Sequence, residues 1–194
     1  GVLTLISIAE YQYAIVLPKE EKDAVSVFHV GIWALFCSTI CISVSVIFSD
    51  SISLLFKAPA LSDIYWLLPV YVFIMGLWNL LNYWYVRQQN FGTISVFQIF
   101  QSVLSSGSKI VLGLMHILRT GMVYSVVLAP IISIVCICVS GWRKIIPLLH
   151  FSWSNILKKA KEYKNFPLYV MPRGLLNTLG GNLPTLLLTP YFGF

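Results

Sequence analysis

Charge is what this sequence has least of. Only 10% of its 194 residues are Asp, Glu, Lys or Arg, where a soluble domain carries about 25%. With 58% apolar residues and a mean hydropathy of +0.82, the chain reads as a polytopic membrane protein and not a soluble globule. A Gly-rich phosphate loop is also missing, so ATP hydrolysis on this chain is not expected. His29, His116 and His150 each stand apart from any nucleophile or carboxylate at a useful spacing. No catalytic residue, cofactor or metal site is read from them, and an enzyme is not expected. Cysteine is scarce too: Cys37, Cys41, Cys136 and Cys138 all lie in apolar segments. They are expected to be small buried hydrophobes, neither disulfides nor metal ligands. Acids are few, seven against thirteen cations, for a net charge of +6. The cations fall in loops between apolar runs, which fits the positive-inside rule better than a basic surface for nucleic acid. No nucleic-acid partner is expected.

What is present is a succession of long apolar runs, so the fold class is all-α, a polytopic transmembrane helix bundle of about six spans. Residues 1–17 read as the tail of one span, interrupted by Glu10 and Gln12 and ended by Pro18. A charged loop at 19–23 follows. Residues 24–48 span, 49–62 form a polar loop, and 63–85 span with Trp and Tyr at both ends, as an interfacial belt requires. Asp63 reads as an interfacial helix cap. Residues 87–90 are a tight connection, 93–118 span back, 119–121 turn, and 122–140 cross again. Residues 141–165 are a long polar connection. The last stretch, 166–194, is broken by Pro167, Pro172, Gly174, Gly180, Gly181, Pro184 and Pro190. Freed carbonyls there survive in hydrocarbon only against protein or a water-filled cavity. The chain opens and closes inside apolar runs, so it is expected to be a piece of a larger bundle.

Lys and Arg are distributed nine to two between alternate sides, which places loops 19–23, 87–90 and 141–165 in the cytoplasm. Within the last of these, Trp153, Ile156, Leu157, Ala160 and Tyr163 fall near one helical face. Ser154, Asn155, Lys158, Lys159, Lys161 and Glu162 fall on the others. This reads either as a helix along the interface, drawn to anionic lipid, or as a loop whose cations only set topology.

The polar residues inside spans are the candidates for function. Gln98, Gln101, Ser102, Ser105, Lys109 and His116 recur at helical spacing along one face. Lys109 lies about fifteen residues into its span, where a charge costs at least roughly 2.5 kcal/mol. Two things offset such a cost: an anionic group of a substrate, or a carbonyl or acid within the bundle. Arg173 either snorkels to the headgroup level or binds an anion with its planar guanidinium. Arg87, at the cytoplasmic mouth, either sets topology or makes first contact with a lipid headgroup. Asn177 and Asn182 suit sugar hydroxyls, and equally suit bonds between helices. Glu10 is the ion-coupling candidate, a proton or cation site.

Several stretches resemble one known family. YQYAIVLPK at 11–19, followed by EEKDA, resembles its second helix running into its first cytoplasmic loop. LNYWYVRQQNF at 81–91 resembles the turn between its fourth and fifth helices. FPLYVMP and LLNTLGGNLP within 163–194 resemble its seventh helix. The family is the polysaccharide exporters that include the bacterial O-antigen flippases, within the larger group that also holds the MATE drug exporters. One departure is that many relatives carry a basic residue, then an acidic one two positions on, ahead of AIVLP. Here those positions are Glu10 and Gln12.

The resemblance implies two helix bundles working by alternating access. Residues 1–165 would be an N-terminal transmembrane bundle with a cytoplasmic amphipathic connection at 141–165. Residues 166–194 would open a second bundle. The implied location is the bacterial inner (cytoplasmic) membrane, multi-pass. The implied cargo is a polyprenyl-pyrophosphate-linked oligosaccharide, an O-antigen, capsule or exopolysaccharide repeat unit. Membrane lipids, polysaccharide polymerase and chain-length machinery are the other implied partners. Lys109, Arg173 and Arg87 are expected to form an electropositive cavity for the pyrophosphate, with Gln98, Gln101, Ser105, Asn177 and Asn182 lining the path. Two rival readings remain: a cation-coupled multidrug exporter, and a non-transporting scaffold for glycan-assembly enzymes.

Overall fold

Backbone polar groups in hydrocarbon must bond within their own segment, so long apolar runs become helices. The computed structural model describes residues 2–47, 65–114, 118–149 and 152–192. Among them every regular element is helical. Two short helices, α1 (Val2–Ile8) and α2 (Tyr11–Ala14), precede α3 (Glu21–Val46), α4 (Leu67–Arg87), α5 (Phe91–Leu114) and α6 (Leu118–Ser140). Then come α7 (Trp142–Ile145), a 3₁₀ turn (Ile146–Leu149), α8 (Trp153–Glu162), a π-helical turn (Phe166–Val170) and α9 (Met171–Phe192). Helices α3 and α4 are long and apolar enough to cross a membrane. A third span is added if Val126–Ser140 and Trp142–Leu149, bent at 91°, count as one. The expected loop at 49–62, Asp63, His116 and His150 lie outside the described residues, as does the side chain of Asn182.

The interruption expected in the first run is found between α1 and α2. Ala9 and Glu10 both adopt left-handed backbone, with φ of 50° and 59°. Neither is glycine, so each costs on the order of 1–3 kcal/mol and must be held by its surroundings. Two other expectations are corrected. The turn expected at Arg119, Thr120 and Gly121 is the first turn of α6. The break expected at Gly180 and Gly181 does not occur, and α9 runs through both glycines and through Pro172, Pro184 and Pro190. Proline's φ is already helical, and its cost in a membrane helix is the lost donor alone where neighbours accommodate the ring. The irregularity falls earlier, at the π-helical turn around Pro167.

The core lies among α1, α2, α3 and α4. Trp84 is its largest fully buried side chain. The indole meets Phe28 edge-on at 6.0 Å between centroids, and its Nε1 donates to the Lys144 carbonyl at 2.9 Å. Helices α3 and α4 approach through two reciprocal notches. Leu80 fills the space over Gly31, where a Cβ would stand 2.6 Å from Leu80 Cδ2. Leu35 fills the space over Gly76, where a Cβ would stand 2.3 Å from Leu35 Cδ1. Small residues opposite large ones are how membrane helices gain packing when lipid is as apolar as Leu. Helix α5 packs chiefly against α6, and α9 packs against α1.

The connection at 141–165 is also corrected in detail. Helix α8 lies across the start of α3 with Ile156 buried. Lys159, placed by its spacing on an outer face, points inward and donates to Asp23 at 2.7 Å and Glu162 at 2.9 Å. The Asp23 contact, then Glu162, holds the Lys159 ammonium above the ordinary lysine range, against the opposing effect of burial. Leu157, placed on the apolar face, is 61% exposed. Asp23 in the first turn of α3 supplies a carboxylate, and α8 is rolled toward it. Cysteine burial is corrected as well: Cys37 and Cys41 are exposed on α3, and Cys136 and Cys138 are half-buried.

Gly76→Val should lower stability by about 1–3 kcal/mol, because buried Leu35 has no room to retreat. Gly107→Ala, with nothing within 4 Å of the added carbon, should not lower it and should raise it by up to about 1 kcal/mol. Unfolding in mixed detergent micelles measures both.

Candidate functional site

Because α1 stops at Ile8, the left-handed pair at Ala9 and Glu10 turns the Glu10 side chain inward, where the residue is 2% exposed. Gln12 follows it at 6% exposed and donates from Nε2 to Glu10 Oε2 at 2.9 Å. The other amide atom, Gln12 Oε1, is buried with no hydrogen-bond partner among the described residues. No cation comes within ion-pair distance of the Glu10 carboxylate among the described residues. Buried carboxylates normally carry such a partner, because desolvation otherwise costs several kcal/mol.

Opposite Glu10 stands α9. A Cβ on Gly174 would lie 2.9 Å from Glu10 Oε1, so any side chain there would crowd the carboxylate. Arg173 and Asn177 flank Gly174, and the spacing of 174 to 177 keeps them on neighbouring positions of the helix surface. Glu10, Tyr13, Val170, Arg173, Gly174 and Asn177 line one open cavity of about 450 Å³. Tyr13 meets Tyr83 of α4 edge-on at 5.1 Å, closing one wall. Glu10, Arg173 and Asn177 are thus brought together from distant parts of the sequence. An acid beside amide oxygens holds a proton or a cation; a guanidinium and an amide in the same space donate to phosphate or hydroxyl groups.

The polar stripe of α5 stands apart from this cavity. Gln98, Ser102 and Lys109 are exposed, and Gln101 and Ser105 are half-buried. At helical spacing they occupy one side of α5, while exposed Val96, Ile99, Val103 and Ile110 occupy another. So α5 carries two distinct unpacked faces, one apolar and one polar. Lys109 has no hydrogen bond or ion pair among the described residues and does not line the Glu10 cavity.

Arg87 does not join either group. Its guanidinium donates from Nη1 to the carbonyls of Ile15 at 3.3 Å and Pro18, and from Nη2 to those of Lys19 at 3.4 Å and Glu20 at 3.2 Å. It is a strap. The Glu20 carbonyl also accepts from the Ala24 N–H at the start of α3, at 3.2 Å, and a planar fork on the last turn of α4 gathers it with the other three. Among the described residues it lies outside the Glu10 cavity, and its fork is already engaged. Gln88 adds a bond to the Lys144 carbonyl at 3.2 Å.

Sequence reasoning missed two members of the site. Gln12 was only a polar interruption, and Gly174 only a helix breaker. The Glu-x-Gln spacing across a broken run, and a glycine next to the one arginine of an apolar helix, were the available signals.

The fold and the site together describe a helical membrane protein with a polar cavity at the break between its first two helices. The chain belongs to the polysaccharide biosynthesis protein family, whose model matches residues 12–194. No match was found among the curated proteins or the solved structures.

Arg87→Lys should destabilise the protein about as much as Arg87→Ala, by roughly 1–3 kcal/mol, because a single ammonium cannot span four carbonyls. Melting temperature of the purified protein checks this, with rescue by Lys as the contrary result.

Proposed function

We propose that the chain works in a flippase that carries polyprenyl-pyrophosphate-linked oligosaccharide across the bacterial inner membrane by alternating access. Membership of the polysaccharide biosynthesis family is the broad support. The observation that carries the finer reading is Arg173 and Asn177 lining an open cavity beside a buried acid. In this reading Arg173 takes the pyrophosphate and the amides take sugar hydroxyls, while the polyprenyl tail stays in lipid. The polar side of α5, with Lys109, Gln98, Gln101 and Ser105, borders the same path further along. About six spans are supported by length. Helices α5, α6 and α9 have 24, 23 and 22 residues, enough for a hydrocarbon core of about 30 Å at about 1.5 Å per residue. The two-bundle, MATE-like arrangement, the multi-pass inner-membrane location and the partnership with polymerase and chain-length machinery belong to this proposal.

A cation-coupled multidrug exporter is the second reading. Buried Glu10 favours it. Arg173 in the same cavity argues against a cationic drug, which it would repel.

The double variant Lys109→Ala, Arg173→Ala should cut translocation of lipid-linked glycan in inverted vesicles by about tenfold or more, the loss of charge-assisted bonds of roughly 1.5–3 kcal/mol each. Unchanged translocation by a correctly folded variant would remove the residue assignment. Transport of cationic dyes in its place would favour the exporter.

A further inference from the structure

We propose that Glu10 selects the sugar that follows the pyrophosphate, accepting hydrogen bonds from an uncharged ring while Arg173 holds the phosphate. This rests on the translocation reading and names the part of the cargo that the cavity discriminates. Glu10 is 2% exposed and yet lines the open cavity. Gln12, which does not line it, donates from Nε2 to Glu10 Oε2 at 2.9 Å and so fixes the carboxylate. The second oxygen, Oε1, faces α9, where a Cβ on Gly174 would stand 2.9 Å from it. The missing side chain at Gly174 leaves that oxygen open to the cavity.

The charges in this space decide what fits beside Glu10. A cation would meet Arg173 in the same cavity, and like charges repel. An anion would meet Glu10 itself. A neutral group with hydroxyl or N–H donors meets neither objection, and it supplies the hydrogen bonds that a desolvated carboxylate needs. Bonds from such donors to a carboxylate are charge-assisted, about twice as strong as neutral ones. The rest of the lining suits a sugar ring. Tyr13, 42% exposed and set edge-on to Tyr83 at 5.1 Å, offers an apolar ring for C–H groups and a hydroxyl for polar ones. Val170 adds a second apolar surface, and the Asn177 amide both donates and accepts. The volume of about 450 Å³ is that of a small-molecule site. Arg173 precedes Gly174 directly, so a phosphate on the guanidinium and a ring over Oε1 are neighbours, as they are in a sugar pyrophosphate.

The same charges exclude some sugars. A uronate ring would set its carboxylate against Glu10, and a sugar with a free ammonium would face Arg173. Repulsion of this kind discriminates without any added contact. The ring favoured is a neutral hexose or an N-acetylated one, whose amide N–H is a further donor to Oε1. Glu10 then determines specificity, and Arg173 supplies affinity for the charged part.

The test measures binding of three lipids to the purified full chain in nanodiscs: bare polyprenyl pyrophosphate, the same lipid carrying one glucose, and the same lipid carrying one glucuronate. Wild type should bind the glucosyl lipid about tenfold more tightly than either of the others. Glu10→Gln, whose amide oxygen can keep the Gln12 bond, should lose most of that preference, while its affinity for the bare lipid holds or rises. Circular dichroism and gel filtration confirm that each variant is folded. A glucosyl lipid bound no tighter than the bare one by wild type, or a preference undiminished in Glu10→Gln, overturns the role of Glu10. Bare-lipid binding that Arg173→Gln leaves unchanged overturns the assignment of Arg173 in the translocation reading instead, so the two failures are told apart. Binding of none of the three lipids by the folded wild type overturns both.

Discussion

A carboxylate held out of water with no cation against it is the constraint around which this molecule is arranged. Glu10 is that carboxylate. It reaches its place because two consecutive non-glycine residues take left-handed backbone, at a cost that only a packed surrounding can sustain. The surrounding is specific: Gln12 donates to one oxygen, and Gly174 leaves room for the other. A first helix that ran straight would turn Glu10 elsewhere and leave the cavity without its acid. The break in the backbone and the chemistry of the site are therefore one feature.

The remaining packing holds that break in position. The interlocked Leu80–Gly31 and Leu35–Gly76 contacts fix α3 against α4. The Arg87 strap fixes the chain leaving α2 to the end of α4. Lys159 joins α8 to the start of α3 through Asp23. Trp84 ties the same region to the start of the 141–165 connection through the Lys144 carbonyl. Three of these four ties use polar groups that end on backbone carbonyls or carboxylates. Out of water an unpaired polar group is costly and a paired one specifies position.

Much of the helical plan could be read from the sequence, because hydrocarbon permits few alternatives. The runs at 24–48 and 63–85 appear as α3 and α4, shifted by a few residues. The interruption at Glu10 and Gln12 was visible because two polar residues cannot sit in an apolar run without a reason. What escaped was whatever depends on a partner distant in the chain. Arg87 carries the same donors whether it meets a phosphate or four carbonyls. Lys159 looked solvated because Asp23 lies more than a hundred residues away in the chain. Gly180 and Gly181 looked like a break because glycine permits one, but permission is not a requirement, and α9 continues through them. Lys109, Arg173 and Arg87 stand apart from one another among the described residues for the same reason: like charges in a sequence do not state which partners each will find.

The central claim is that Glu10 and Arg173 act on one shared space. A double-mutant cycle measures this directly, using Glu10→Gln, Arg173→Gln and the combination, with the affinity for a polyprenyl-pyrophosphate lipid as the readout. The account predicts non-additive effects, with a coupling on the order of 0.5–3 kcal/mol, as expected for groups in one network. Strict additivity in folded proteins would contradict it.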